Sequence, residues 1–348
     1  MERPRPAASG GALAVAAARP PAAMLPQQAL FGGDAQPFVL PVCDHYAGNE
    51  RFLLKALAYQ AQLGPVFDIT ADCEDGAPVG GEREHAQMIA AVISSPANRF
   101  GRVGIRIHDI GHPHWQKDLE LILPTAGARV AYVTLPKVQG LATVEAMAAR
   151  VNTYAPRGQR IPLHVLIETH GALREVGAIA AHPQVQCLSF GLMDFVAAHH
   201  GAIPASVLAG SGQFEHPLIR RAKVEIAAAA HAHLKVPSHN VSTALRDQRQ
   251  VAADATRAAR EFGYTRMWSV HPDQIVPILE AMQPRHDEVE RAARILVAAA
   301  DAQWGPIEDD GQLHDRASYR LFWTLLRRAV AGGVPIPEPA RSRFFATA

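Results

Sequence analysis

The stretch Leu163–Gly201 reads LHVLIETHGALREVGAIAAHPQVQCLSFGLMDFVAAHHG, and its pattern decides the fold. Two short apolar runs, Leu163–Ile167 and Cys187–Phe190, flank a segment of helical spacing that starts near Thr169 and Gly171 and fades at His182–Pro183. Each run ends in, or just short of, a carboxylate: Glu168 after the first, Asp194 after the second. Strand, helix, strand in that order predicts two parallel strands joined by a crossover, which brings both strand exits to one edge of the sheet. Acids at neighbouring exits can then converge on one metal ion.

The same alternation extends in both directions. Towards the N-terminus, Phe38–Val42, Val66–Thr70, Arg102–Ile107 and Val130–Leu135 are strand-like. Helical spacing follows them at Asn49–Leu63, Glu82–Ile93, Trp115–Leu123 and Leu141–Val151. Towards the C-terminus come a helix at Pro217–His233, a weak strand at Leu234–Pro237 and a helix at Asp247–Phe262. A strand at Met267–Val270 and a helix at Asp273–Met282 close the series. Eight such units predict the α/β class and a (β/α)8 TIM barrel over residues 37–283. An open doubly wound sheet is the alternative, but no GxGxxG or GxxxxGK[ST] follows any strand, so its nucleotide-binding versions lack their signature.

Two further stretches of helical spacing, Asp287–Gln303 and Arg316–Ala331, are surplus to the barrel. Residues 284–348 are therefore expected to form a C-terminal helical extension, either a lid on its own barrel or an arm that reaches a neighbouring subunit. Residues 1–36 are rich in Ala, Pro and Gly with no core-forming period. They are expected to be a disordered leader rather than a targeting sequence.

Composition narrows the function. An apolar share of 48% can fill a large core, and a net charge of +1 gives no electrostatic case for nucleic acid as a partner. No run approaches the ~20 apolar residues of a membrane span, so no membrane partner is expected. The three cysteines, Cys43, Cys73 and Cys187, form no CxxC pair, which argues against a disulfide framework or zinc knuckle and for a reducing, cytoplasmic location. Seventeen histidines include the pairs His112/His114, His199/His200 and His231/His233, but none forms HExxH, so these are expected on the surface or in structural roles.

The polar residues at strand ends are the functional signal. Glu74 and Asp75 follow the second strand, Arg106 and His108 end the third, and Lys137 follows the fourth. Glu168 ends the fifth, Asp194 follows the sixth and His271 the eighth. In a barrel all of these lie on the C-terminal face, where such enzymes build their sites. Asp273 reads instead as a helix-start acid.

Six segments, in order, resemble the superfamily of citrate lyase β-subunits, malyl-CoA lyases and HpcH/HpaI aldolases, on its citrate-lyase-like branch. They are Asp72-Cys73-Glu74-Asp75-Gly76, Val103-Gly104-Ile105-Arg106-Ile107, Leu135-Pro136-Lys137-Val138, Leu166-Ile167-Glu168-Thr169-His170-Gly171, Phe190-Gly191-Leu192-Met193-Asp194 and Val270-His271-Pro272-Asp273-Gln274-Ile275. The resemblance covers roughly Phe38 to Ala331. It implies that Glu168 and Asp194 bind Mg2+ (or Mn2+), and that Arg106 stabilises an enolate or 2-oxoacid oxygen. It implies that Glu74 and Asp75 hold Arg106 and metal-bound water; Lys137 and His271, by their strand-end positions, are expected to line the substrate. It also implies that Asp315, in Gly311-Gln312-Leu313-His314-Asp315, enters an adjacent subunit's site as acid/base, in a homo-oligomer that is a trimer or a multiple of one.

The activity so implied is Mg2+-dependent cleavage of a hydroxyacyl-CoA, such as malyl-CoA or citramalyl-CoA, to an acyl-CoA and a 2-oxoacid. Alternatives are a CoA-independent class II aldolase on a free hydroxy-oxoacid, an acyl-CoA thioester hydrolase, and a non-catalytic barrel that binds small acids. The chain departs from the pattern at Asp34-Ala35-Gln36-Pro37, where an arginine is common, at Ala77–Arg83, where a lysine is common, and at His233–Asp247. These departures bear on CoA use and substrate identity, and leave the metal residues in place.

Overall fold

The computed structural model describes residues 24–346. Eight parallel strands close into a barrel in chain order: β1 (Cys43–Ala47), β2 (Asp68–Asp72), β3 (Val103–Arg106), β4 (Val130–Leu135), β5 (Leu163–Ile167), β6 (Val185–Phe190), β7 (Val236–His239) and β8 (Arg266–Ser269). β8 returns to pair with β1, Met267 opposite Cys43. The predicted class and architecture hold. The connecting helices bury one stripe against the strands. Glu50–Leu63, for example, is capped by Asn49, whose side chain accepts the Phe52 N–H at 3.0 Å, and buries Leu53, Ala56, Leu57 and Gln60 at helical spacing.

Several boundaries differ from the sequence reading, for physical reasons. β1 lies at Cys43–Ala47, immediately after the run Phe38–Val42 that was expected to form it. Its polar residues Asp44 and His45 hide it from an apolar-run criterion, yet both are buried and partnered. Asp44 accepts hydrogen bonds from Thr70 and Tyr132, both at 2.8 Å, and meets Arg266 at 3.1 Å. Arg266, itself fully buried, donates to Asp68 and to the Pro41 carbonyl, both at 2.7 Å. The His45 ring Nδ1 stands 2.8 Å from the Ser269 hydroxyl. β2 likewise runs later, to Asp72, because Asp68 is neutralised inside the barrel by the same arginine. The helix expected between β5 and β6 is two short ones, His170–Arg174 and Val176–Ala181. Glu175, at the break between them, accepts the Leu141 N–H at 2.8 Å.

The extension has its own apolar cluster, built on Val289, Leu296, Tyr319, Trp323 and Phe344. Helices His286–Asp301, Arg316–Ala331 and Glu338–Phe344 supply it. Between the first two lies a hairpin of β9 (Ile307–Asp309) and β10 (Gln312–His314), where the sequence reading had only a linker. Its turn, Asp310-Gly311, has positive φ at both residues (53° and 71°), the geometry that Asp-Gly favours in two-residue hairpins.

The leader needs the plainest correction. Residues 1–23 lie outside the described residues, but Pro26–Phe31 is a helix, and Leu30 and Phe31 are buried in the extension's cluster. Arg320 donates to the Leu30 carbonyl at 2.9 Å and Arg327 to the Pro37 carbonyl at 3.1 Å. An Ala/Pro-rich segment with two large apolar residues orders here because another helix pair offers it a groove. Among the described residues no helix is long and apolar enough to cross a membrane, and the three cysteines are buried and unpaired.

Candidate active site

β2 delivers Asp72-Cys73-Glu74-Asp75-Gly76 to the C-terminal face of the barrel. β2 ends at Asp72, and the turn that follows buries Cys73 in the core and brings Glu74 back beside Asp72. Asp72 and Glu74 accordingly close on Arg106, which ends β3. Arg106 Nε and Nη2 donate to the two Asp72 carboxylate oxygens at 2.7 and 2.6 Å, and Nη1 meets Glu74 Oε2 at 2.8 Å. Asp72 also accepts the N–H groups of Glu74 (3.0 Å) and Gly76 (2.9 Å). The turn fits only a glycine at 76, since a Cβ there would stand 2.4 Å from Asp72 Oδ2. Burial alone would raise the Asp72 carboxyl, but the Arg106 charge and these hydrogen bonds hold it below its ordinary value. Burial opposes the Arg106 charge in turn, and Asp72 and Glu74 outweigh it, so the guanidinium stays protonated.

Asp75 does not hold Arg106. Its carboxylate is 57% exposed and lies 3.1 Å from Lys137 Nζ. Lys137 bridges Asp75 to Glu74 at 2.6 Å and stands 4.0 Å from Asp194. Burial acts to lower the Lys137 ammonium, but Glu74 and Asp75 raise it overall. The Lys137 backbone has φ 48°, a left-handed conformation uncommon for a residue with a side chain. That conformation coincides with its N–H donating to Glu168 Oε1 at 2.6 Å.

Glu168, at the exit of β5, is almost fully buried. Asp194 sits in the first turn of the short helix Leu192–Ala197, just after β6. Burial, and then the negative charge of Asp194, push the Glu168 carboxyl up to about 8. Gly191 makes the approach of the two segments feasible, because a Cβ there would lie 2.1 Å from Glu168 Oε2. Glu168, Asp194, Asp72 and Arg106 line one cavity of about 700 Å³ at the barrel mouth.

The other sequence candidates fall elsewhere. His271 caps the turn Pro272–Gln274, its Nδ1 accepting the Asp273 N–H at 3.2 Å, while its neighbour Val270 lines the cavity. Asp315 caps the helix Arg316–Ala331, accepting the Ala317 N–H at 2.9 Å, and does not line the cavity of its own chain. His108 pairs with Asp118 at 2.7 Å and stacks on His112, away from the cavity. The sequence reading missed Asp72 as the main partner of Arg106, although its position two before Glu74 was the available signal. It also missed Tyr46 and Trp268, which stack at 4.8 Å, with the Arg106 guanidinium 5.2 Å from the Tyr46 ring.

The donor set suits a hard divalent cation. Among the described residues no cluster of three or more His, Cys, Asp or Glu is arranged to hold a metal, and Glu168 and Asp194 would be two carboxylate ligands. Mg2+ commonly takes one or two carboxylates and leaves the rest of its shell to water and substrate. A cation held between Glu168 and Asp194 would favour the ionised form of Glu168 that burial and the Asp194 charge oppose.

The sequence model of the HpcH/HpaI aldolase/citrate lyase family matches residues 68–272, more than half of the chain. The chain belongs to this family. Family membership makes it a carbon–carbon lyase. It is 29% identical over 282 residues to an L-malyl-CoA/beta-methylmalyl-CoA lyase of Cereibacter sphaeroides, covering 75% of this chain and 86% of that protein. A citrate lyase subunit beta-like protein of Mycobacterium tuberculosis is 29% identical over 229 residues, covering 66% of this chain and 76% of the relative. Among solved structures, a citrate lyase from Burkholderia xenovorans LB400 shares 54% identity at a TM-score of 0.80, covering 92% of this chain and all of that one. The protein CitE of M. tuberculosis, solved with magnesium, acetoacetate and coenzyme A, shares the fold at 24% identity and a TM-score of 0.60, covering 85% and 98% of the two chains.

Proposed function

We propose that this family member is a Mg2+-dependent lyase that cleaves a 2-hydroxyacyl-CoA thioester of the malyl-CoA or citramalyl-CoA type into an acyl-CoA and a 2-oxoacid. The observation that carries the reading is the convergence of Glu168, Asp194 and a doubly anchored Arg106 on one cavity. Glu168 and Asp194 would hold the cation, which supplies Lewis-acid polarisation of the hydroxyl and carboxylate of the substrate. Mn2+ would be held by the same two oxygen donors.

Arg106 carries five N–H donors. Two are given to Asp72 and Nη1 is ion-paired with Glu74, and the N–H groups left over would serve the oxyanion that develops as the carbon–carbon bond breaks. A guanidinium fixed by two buried acids needs little reorganisation at that moment, and this is the main source of electrostatic catalysis. Glu74 and Asp75 fix Lys137, which sets the backbone donor on Glu168. Every acid that lines the cavity is thereby committed, to Arg106, to Lys137 or to the cation. A base for the substrate hydroxyl must come from elsewhere, and the exposed Asp315 of an adjacent subunit in a homo-oligomer is our candidate.

The test is a screen of purified protein with Mg2+ against hydroxyacyl-CoA esters and free hydroxyacids, followed by 2-oxoacid release. Glu168→Gln and Asp194→Asn should each abolish metal-dependent release. Full activity in both would remove the metal assignment. Free thiol without 2-oxoacid would favour the hydrolase, and turnover of free acids alone the CoA-independent aldolase. Mixing inactive Asp315→Asn with inactive Glu168→Gln should restore activity if the site is shared, and no recovery after proven subunit exchange would refute sharing.

A further inference from the structure

Behind one wall of the cavity lies a buried amine that the lyase reading does not use. Lys223, in the helix Pro217–Ala232, is completely buried and stands outside the cavity lining. Its Nζ donates to Asn240 Oδ1 at 2.5 Å and to His239 Nε2, and lies 3.5 Å from Gln213 Oε1. The rings of Phe214 and Phe190 lie 4.7 and 5.3 Å from it. Burial pushes the amine well below its ordinary value, and these acceptors and ring faces take the place of its water. His239 Nδ1 stands 3.0 Å from the Asn240 carbonyl, which can only accept. The ring therefore carries its proton on Nδ1 and offers Nε2 to Lys223. These contacts converge on Asn240, which does line the cavity. Asn240 Nδ2 donates to Gln213 Oε1 and to the Val241 carbonyl, both at 2.9 Å, so both amide hydrogens are engaged within the protein. Val241 in turn packs against Tyr46, Leu166 and Trp268.

We infer that Lys223 and Gln213 are positioning residues, which clamp Asn240 from behind and so set the wall formed by Asn240, Val241 and Thr243 against which the substrate binds. For its substrate this rests on the lyase reading above. The far end of the wall has its own tethers: Ser242 donates to Asp254 at 2.8 Å, and Thr243 Oγ1 to the Leu208 carbonyl at 3.1 Å. Loss of the clamp therefore frees the Asn240 end while the other end stays anchored. The clamp is also separate from the metal pair, since Glu168 is held by the Lys137 N–H and the bonds of Lys223 end at His239, Asn240 and Gln213. The wall belongs to the stretch His233–Asp247, where the sequence departs from the family pattern. A fully satisfied buried polar network rigidifies what it holds, and here it holds the side of the mouth that meets the substrate.

The experiment compares Lys223→Met and Gln213→Ala with wild type in the full-length protein. Amide hydrogen exchange over residues 239–243 is read by mass spectrometry, beside KM and kcat for hydroxyacyl-CoA cleavage and Mg2+ affinity by calorimetry. In each variant exchange there should quicken about tenfold. KM should rise about tenfold with a smaller fall in kcat, while Mg2+ affinity stays within about twofold. The double variant should do little more than Lys223→Met alone, because both residues hold one amide. Should Lys223→Met not fold, Gln213→Ala, which leaves the amine its other partners, decides on the same readings. Unchanged exchange, an unchanged KM, or KM, kcat and Mg2+ affinity worsening together as in a general loosening of the barrel would each overturn the inference. Faster exchange in the variants, with no hydroxyacyl-CoA cleaved by wild type, would sustain the clamp and instead count against the lyase reading.

Discussion

Asp72→Asn is the sharpest probe of the site, because the side chain is isosteric and only charge and one acceptor change. Asp72 accepts four hydrogen bonds: Oδ1 from Arg106 Nε and the Glu74 N–H, Oδ2 from Arg106 Nη2 and the Gly76 N–H. An amide group replaces one oxygen, so two of the four are lost and an NH2 faces either a guanidinium or a backbone donor. Breaking a buried ion pair costs about 3–5 kcal/mol. Glu74 stays on Arg106 at 2.8 Å, so the lower end, about 3 kcal/mol, is expected. Loss of a fixed oxyanion donor costs roughly 100-fold or more in kcat, and an Arg106 held on one side only should show a loss of that order. Urea unfolding followed by circular dichroism reads the first quantity, and 2-oxoacid release the second. The control is Asp75→Asn, whose exposed carboxylate touches only Lys137 and should cost under about 1 kcal/mol. The reasoning fails if Asp72→Asn keeps its urea midpoint and wild-type turnover, or if the two variants are equally damaging.

Three further outcomes follow from other parts of the molecule. Arg266→Met strands Asp44 and Asp68 inside the barrel and should cost about 3–5 kcal/mol, partly recovered by adding Asp68→Asn; an unchanged urea midpoint would show that the pair is not ionised. Gly191→Ala pushes a methyl into Glu168 and should cost about 1–3 kcal/mol as overpacking while weakening Mg2+ binding by calorimetry, and wild-type Mg2+ affinity would refute the close approach. Burial lowers His164 to about 3 and His45 to about 4, each below the ~6.5 of an unfolded histidine. As pH falls below that value the unfolded chain takes up protons that the folded one refuses, so stability is full above it and declines by up to about 1.4 kcal/mol per pH unit per histidine. His164→Asn should flatten part of the decline between pH 6.5 and 4, and parallel wild-type and variant slopes would count against it.

The barrel was legible in the sequence because six of its strands leave recognisable apolar runs within a few residues of their true positions, and β7, Val-Pro-Ser-His, is marked only weakly. The opening strand was misplaced because Asp44 and His45 are core residues here, and their partners Arg266, Thr70, Tyr132 and Ser269 come from other strands. No local pattern announces such a partnership. Glu168, Asp194 and Arg106 were legible as charges at strand exits, and the structure brings them to one cavity. Lys137 was found for its side chain, while its backbone N–H on Glu168 depends on a left-handed φ that the sequence does not encode visibly. The helix Pro26–Phe31 went unseen because its order comes from a groove formed by residues some 290 positions away, such as Arg320 bonding to Leu30.

β2 explains why the misread residues and the catalytic ones are the same kind of feature. Positions 68, 70 and 72 share one face of the strand, and each binds a polar group from another strand: Asp68 takes Arg266 of β8, Thr70 takes Asp44 of β1 and Tyr132 of β4, and Asp72 takes Arg106 of β3. The strand therefore stacks a sealed ion-pair layer, a hydroxyl layer and the arginine anchor of the site, in order from floor to mouth. The floor layer is matched in charge within the chain, since Arg266 faces two acids with no access to solvent. The mouth layer differs in that Glu168 is buried beside a second carboxylate, Asp194, whose charge pushes it up. A barrel interior tolerates charge only where it is matched, and on the proposed reading the match at the mouth would come from a metal and a substrate. On that reading, the difference between matched and unmatched layers assigns the buried acids of β1 and the start of β2 to stability, and those at the exits of β5 and β6 to the proposed binding.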